Sequence, residues 1–188
     1  LGAYPLSEGG SDHLGPPALH LGIGARAGRQ IRGRTAAGIV EDADNQTAWN
    51  AELGFKIRRI STTAEYFWMT DEQANPVVAS DIDSRGFHAQ AGYMLRPRHI
   101  ELGILVSRVT PDTRVNDAAV TELRGVVSYY WHAHGLKLQA DIGQLGYGSK
   151  FGTLSERARQ GLPAQGPRLA SGRSLSDTQM RIQLQVAF

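Results

Sequence analysis

The chain has 188 residues, nearly balanced charge, with 20 Lys and Arg against 18 Asp and Glu, and no cysteine. The balance argues against a nucleic-acid-binding surface, and the missing cysteine excludes disulfides, thiol catalysis and thiolate metal sites. No apolar run approaches the roughly 18 residues of a transmembrane helix, although strands of a membrane barrel also keep the mean hydropathy low. The first residues lack the pattern of a signal peptide, so we expect the sequence to start after a cleaved signal or part-way through a longer protein.

Strict alternation of apolar and polar residues recurs along the chain and predicts amphipathic strands. Residues 1–17 form an N-terminal loop in this interpretation, residues 18–147 hold seven strands, residues 148–176 are a long extracellular loop, and residues 177–188 are the terminal strand. The alternating segments before the terminal strand are 18–26, 47–57, 60–69, 87–95, 100–107, 122–131 and 136–143. We expect the polar stretch 27–46 to be loop, and a long polar connection to contain Asp71, Pro76, Asp81 and Asp83.

Two regularities favour a membrane barrel over a soluble one. The predicted connections are short after the second, fourth and sixth strands and long after the others, as in outer-membrane barrels. Aromatic residues of the apolar face gather near both strand ends, where the two membrane interfaces select them. Those at the short-turn end are Phe55, Tyr93, Tyr129, Trp131 and Phe188, and those toward the long loops are Trp49, Tyr66, Trp68 and Phe87. A soluble barrel or sandwich would turn its apolar face inward and would predict neither regularity.

Several segments resemble the C-terminal half of the phosphate-selective porin O and P family. They are residues 19–22, 86–93, 107–112, 136–141 and 181–188. The likeness runs, with gaps in the loops, from about residue 18 to the end. It implies a diffusion channel for anions or small solutes, with sixteen strands per subunit and usually trimeric. A terminal aromatic such as Phe188 on an amphipathic strand is common to bacterial outer-membrane barrels, where the assembly machinery recognises it.

The expected fold is therefore an all-β, antiparallel transmembrane β-barrel of about eight strands. We expect it to be the C-terminal half of a sixteen-stranded porin, or a shortened relative that closes on itself. The expected location is the outer membrane of a Gram-negative bacterium. Expected partners are outer-membrane lipid and lipopolysaccharide, the barrel assembly machinery, and a homotrimer or larger envelope complex, with no nucleic acid.

The polar face of the strands is the predicted pore lining. Its residues are His20, Arg26, Glu52, Lys56, Glu65, His88, Gln90, Glu101, Glu122, Arg124, Lys137, Asp141 and Arg181. Its acidic and basic residues are equal in number and give no net field to steer anions. Either the face lines a weakly selective pore, or its charges pair across strands and fill a narrow barrel.

Other candidate chemistry is weaker. His132 and His134 could ligate a metal but lack a third ligand, and a solvated turn is the expectation. Arginines of the last loop could contact lipopolysaccharide phosphates, although solvated charges are commoner; they are Arg157, Arg159, Arg168 and Arg173.

We expect no enzyme activity and no cofactor. The predicted function is a passive porin-type channel for ions or small hydrophilic solutes, with phosphate among the candidates. The alternative is a non-conducting barrel that scaffolds an envelope complex.

Two acidic residues on the polar face are predicted to repel each other. If Arg58 and Arg59 form a two-residue turn, Glu52 lies directly across from Glu65, and like charges so placed destabilise a ladder by roughly 0.2–1 kcal/mol. A slip of two residues, a bridging cation such as Lys56 or a loop arginine, or a raised carboxyl pKa would relieve the repulsion. We expect the bridge.

Overall fold

The computed structural model describes residues 17–34, 40–72, 81–97, 99–131, 136–154, 158 and 174–186. These residues form one antiparallel sheet of eight strands that follow one another in chain order. The strands are β1 (Ala18–Arg34), β2 (Val40–Ile57), β3 (Ile60–Glu72), β4 (Ile82–Arg96), β5 (Ile100–Thr110), β6 (Val120–Tyr130), β7 (Leu136–Tyr147) and β8 (Leu175–Val186). A single 3-10 turn, Phe151–Thr153, follows β7. The all-β, antiparallel prediction is confirmed. No ladder joins β1 to β8 within this part of the chain, so the sheet is open.

The strands extend further toward the long connections than the sequence predicts. The prediction that residues 27–46 are loop is wrong for 27–34 and 40–46, because these residues pair between β1 and β2, with Gly28 opposite Gln46. Asp71 and Asp83 also lie in strands and not in a connection. The sequence of these stretches does not alternate between apolar and polar residues, but backbone hydrogen bonds continue without alternation. Only residues 35–39 separate β1 from β2, so the prediction of a long connection after the first strand is wrong as well.

The tight turn between β2 and β3 has the predicted position. β2 ends at Ile57 and β3 begins at Ile60. Arg58 has a φ of 51°, in the left-handed region that two-residue hairpins require and that arginine seldom adopts. The turn fixes the register of the hairpin, and Glu52 lies opposite Glu65. The predicted register is confirmed, and the alternative slip of two residues is wrong.

On β5, β6 and β7 the two faces of the sheet differ in exposure, and the polar one is the covered one. On β6, Arg124 and Ser128 are each 4% exposed, whereas Leu123 and Val127 on the opposite face are 55% and 44% exposed. We call the face that carries Arg124 the inner face and the face that carries Leu123 the outer face. The sheet therefore curls toward its polar side, the reverse of what a soluble sheet does with its apolar face.

Large exposed apolar side chains gather on the outer face along the whole sheet. Among them are Leu21 on β1, Leu53 on β2, Phe87 on β4, Ile104 on β5, Leu123 on β6, Ile142 on β7 and Ile182 on β8. Two aromatic pairs also lie there, with ring centroids 5.5 Å apart for Trp49–Tyr66 and 4.7 Å apart for Tyr129–Trp131. The covered apolar face of a soluble sandwich is not seen in the described strands. No helix in this part of the chain is long and apolar enough to span a membrane.

Candidate pore-lining face

Strand pairing places the predicted pore-lining residues on one face. Glu52 lies opposite Glu65, and Glu65 lies opposite His88, across β2, β3 and β4. On the other side of the sheet, Asp141 lies opposite Arg181. The same register places the other members on the inner face, namely His20, Arg26, Lys56, Gln90, Glu101, Glu122, Arg124 and Lys137. Their shared face is confirmed, and their role in a pore stays a prediction.

A group of charged residues on β6, β7 and β8 forms a closed network, which we call the inner cluster. Arg124 is at its centre: its Nε donates to Glu122 Oε1 at 2.7 Å, and a second guanidinium nitrogen donates to Asp141. Arg181 Nε donates to the same Asp141 carboxylate at 3.1 Å. The Arg124 and Asp141 side chains are each 5% exposed. The inner cluster therefore shows pairing of charges across strands, which is one of the two alternatives that the sequence left open for this face.

Glycines make room for the inner cluster. Gly143 lies directly opposite Arg124, and a Cβ atom on this glycine would lie 2.8 Å from the guanidinium carbon. The guanidinium therefore lies flat against the backbone of β7. Gly92 likewise leaves room for the Glu101 side chain, because a Cβ atom on Gly92 would lie 2.5 Å from a carboxylate oxygen of Glu101. Gly125, the outer-face residue next to Arg124, has nothing within 4 Å of its Cβ position, so the close approach belongs to the glycine that faces the guanidinium.

Glu52 and Glu65 form a second charged group, which we call the carboxylate row. Glu52 Oε1 lies 2.8 Å from His20 Nε2. Glu65 Oε1 accepts from Asn50 Nδ2 at 2.9 Å, and Glu65 Oε2 lies 3.6 Å from His88 Nδ1. Each carboxylate thus has partners of its own, two of them on the strands that flank the hairpin. The sequence analysis expected a bridging cation such as Lys56 or a loop arginine, and it missed the histidines because their positions depend on the pairing of β1 and β4 with the hairpin.

An open cavity of about 300 Å³ lies on the inner face between these two groups. Its polar lining includes Ser61, Gln90, Glu101, Arg124 and Lys137. Tyr130 Oη donates to Glu101 Oε2 at 2.5 Å, and Lys137 Nζ lies 5.2 Å from the centre of the Tyr130 ring, which is within cation–π range. The lining combines these polar groups with apolar side chains such as Leu105 and Val126, and its charged groups already have partners.

Two connections fold over the inner face at the end where the long connections lie. Residues 111–119 and 148–154 form this cap, together with the inner-face ends of β6 and β7. Phe151 is 2% exposed and its ring centroid lies 5.2 Å from that of Tyr147. The other buried members of the cluster are Ala118, Val120, Leu145 and Leu154. Sequence analysis treated residues 148–176 as a loop outside the barrel, so it missed this apolar contact.

Backbone hydrogen bonds join the two parts of the cap. Lys150 N donates to Asp117 O at 2.9 Å, and Gly148 N donates to Ala119 O at 2.9 Å. The Asp117 carboxylate accepts from the hydroxyl and backbone N–H of Ser149, which lowers its pKa. A Cβ atom on Gly148 would collide with the Asp117 carbonyl group, so this position needs glycine.

A second ion pair fixes the first part of the cap. Arg114 Nε and Nη2 donate to the two oxygens of Asp112, each at 3.0 Å. Burial alone would raise the pKa of Asp112, but the hydrogen bonds from Arg114 outweigh burial and lower it. Thr113 N also donates to Asp83 O at 2.8 Å, which ties the cap to β4.

Several predicted features lie outside the described residues. They are the terminal Phe188, His132 and His134, and the loop arginines Arg157, Arg159, Arg168 and Arg173. Within the described ranges, no group of three or more His, Asp or Glu side chains could hold a metal ion.

Comparisons of the chain with protein-family models, with curated proteins and with solved structures found no match in any of the three.

Proposed function

We propose that this sheet is the wall of an outer-membrane β-barrel that works as a porin-type channel for ions or small hydrophilic solutes. The observation that carries the proposal is the inverted distribution of polarity. On β5, β6 and β7 charged and amide side chains lie on the covered face, and along the whole sheet large apolar side chains lie exposed on the other face. Water exposure of so large an apolar surface is unfavourable, whereas lipid removes that cost and leaves the polar face to a lumen.

Closure of the barrel belongs to the same proposal. β1 and β8 carry unpaired backbone N–H and C=O groups along one edge, and a lipid-exposed edge would leave each of them unsatisfied. Each edge therefore pairs either with the other edge or with further strands. The resemblance to phosphate-selective porins O and P favours further strands, up to sixteen, because eight strands leave an interior only wide enough for side chains.

The balance of charge sets the expected selectivity. The Arg124, Asp141 and Glu122 charges satisfy one another, and the carboxylate row adds negative charge near His20 and His88. This part of the wall gives an anion no excess of basic groups, so we expect weak ion preference. A phosphate preference would require basic residues beyond these strands.

The inner cluster also supports a second candidate, a non-conducting barrel that scaffolds an envelope complex. Arg124 and Asp141 are almost fully buried by their neighbours, as expected for side chains that fill a narrow interior. Conductance separates the two functions. The full-length protein in a planar bilayer should give steady single-channel currents with little preference between potassium and chloride, and complete absence of current favours the scaffold.

Thiol labelling tests which face meets lipid. Gln90 on the inner face and Ile104 on the outer face are both exposed side chains on neighbouring strands. In vesicles, Gln90→Cys should react with a water-soluble maleimide, while Ile104→Cys should react at least tenfold more slowly because acyl chains cover it. In urea both should react alike, which is the control for intrinsic reactivity. Equal rates in vesicles would contradict the membrane assignment.

A further inference from the structure

A polar cleft opens at the edge of the outer face nearest the long connections, where the apolar surface ends. Four residues on neighbouring strands form a straight row across this edge: Arg108 pairs with Thr121, Thr121 with Gly146, and Gly146 with Ser176. With Ser174 and Gly148, the row lines a cleft of about 420 Å³, which we call the rim cleft.

The rim cleft lies where a membrane interface would fall. The fourth row below it on the outer face is Ile100, Tyr129, Leu138 and Leu184, and the rows between them are mainly apolar. Eight residues of strand span about 27 Å, and a tilt of roughly 40° reduces this to about 20 Å of height. Because the apolar band of a membrane barrel is about 25 Å tall, the Arg108 row comes within about 5 Å of the band's edge, and a long arginine side chain can cover that distance to the headgroups.

The chemistry of the cleft suits a phosphate group. Arg108 makes no hydrogen bond or ion pair with another described residue, so its guanidinium donors are available, and the Ser174 and Ser176 side chains supply hydroxyls. The Thr121 hydroxyl donates to Gly146 O in a long bond of 3.4 Å, which a phosphate oxygen can replace. A guanidinium binds two phosphate oxygens at once. Asp117 also lines the cleft, and its carboxylate accepts two hydrogen bonds from Ser149. The carboxylate also attracts Arg108 electrostatically, so a bound phosphate competes with Asp117 for the guanidinium.

Two glycines give the cleft its depth. A Cβ atom on Gly146 would lie 3.0 Å from Thr121 Oγ1, and one on Gly148 would enter the Asp117 carbonyl. Side chains at these positions would therefore fill the floor of the cleft. Directly below it, Val106 and Leu123 provide an apolar surface on which acyl chains can lie.

We propose that the rim cleft binds the phosphate headgroup of a membrane lipid, with Arg108 as the main anchor and the hydroxyls of Thr121 and Ser176 beside it. This inference rests on the proposed membrane placement of the outer face. A free phosphate ion shares the same chemistry. The lipid is favoured because the cleft faces outward and borders the apolar rows, while soluble anions would pass along the inner face.

The test uses the full-length protein in detergent, with phosphatidylglycerol binding followed by native mass spectrometry. Arg108→Gln should weaken binding about tenfold, the loss expected for a charge-assisted hydrogen-bond pair. Ser176→Leu, which fills the cleft from β8, should weaken it as well. Arg85→Gln is the matched control, because Arg85 is an exposed outer-face arginine on β4 that does not line the cleft.

Each outcome decides one point. Loss with Arg108→Gln and Ser176→Leu but not Arg85→Gln supports the site. Equal loss with both arginine variants, or no loss with Arg108→Gln, overturns it. Displacement of the lipid by inorganic phosphate at equal concentration would overturn the lipid assignment. Bilayer insertion and conductance of Arg108→Gln should equal wild type; failure of the wild-type protein itself to insert would contradict the proposed function, independently of this site.

Discussion

The inner cluster and the carboxylate row lie on the same face and use the same residue types, yet they are built differently. Arg124 and Asp141 are closed off by their neighbours and by the backbone of β7. Glu52 and Glu65 remain about a quarter exposed and depend on histidines and Asn50. Equal numbers of charges on a face thus do not make it electrically uniform. One region neutralises itself, and the other keeps negative charge accessible to water.

The largest expected effect comes from breaking the inner cluster. Asp141→Asn removes the carboxylate that Arg124 and Arg181 share, and a nearly buried guanidinium then loses one of its two anionic partners. We expect the free energy of unfolding to fall by about 3 kcal/mol, measured by urea titration in vesicles.

Glu52→Gln in the carboxylate row is the control for that measurement. It should change the free energy of unfolding far less, because water reaches the site and because the substitution also removes a like charge opposite Glu65. A loss as large as that of Asp141→Asn would show that the two regions do not differ.

A smaller effect should come from the floor of the inner cluster. Gly143→Ala places a methyl group 2.8 Å from the guanidinium carbon of Arg124, and the guanidinium cannot move without losing a partner. We expect a loss of about 1–3 kcal/mol, typical of overpacking. Gly125→Ala on the outer face meets open space and should change the stability by less than about 0.5 kcal/mol. Equal effects of the two substitutions would contradict the close packing of Arg124.

The smallest effect, and the only one of opposite sign, belongs to the carboxylate row. Glu65→Gln removes a like charge opposite Glu52 and keeps an oxygen for the Asn50 amide. We expect a gain of roughly 0.5 kcal/mol in the free energy of unfolding, measured by the same urea titration. Lower stability would indicate that the contact with His88 outweighs the repulsion.

The face of each residue follows from the sequence because the period of a strand is two. The position of Arg124 on β6 and of Asp141 on β7 was therefore predictable. Their contact was not, because it depends on the register between two strands, which the alternation leaves free in steps of two residues. The β2–β3 register was predictable, since only Arg58 and Arg59 join those strands.

The cap and the strand ends near the long connections were harder to predict from the sequence, for a different reason. The sequence of residues 27–34 does not alternate between apolar and polar residues, so the period-two signal is absent although pairing continues. Phe151 lies in a stretch rich in glycine and serine, and no local pattern shows that its ring packs on Tyr147. Such contacts are decided by tertiary packing, which overrides local preference.

The flat placement of Arg124 over Gly143 has a consequence for current through a conducting pore. A long side chain that projects into a lumen changes rotamer within nanoseconds, and its charge moves with it. Arg124 is held by Glu122, Asp141 and Gln179 at once, so its charge is fixed in space. A channel lined in this way would be electrically quiet, with a steady open current and little flicker from its wall.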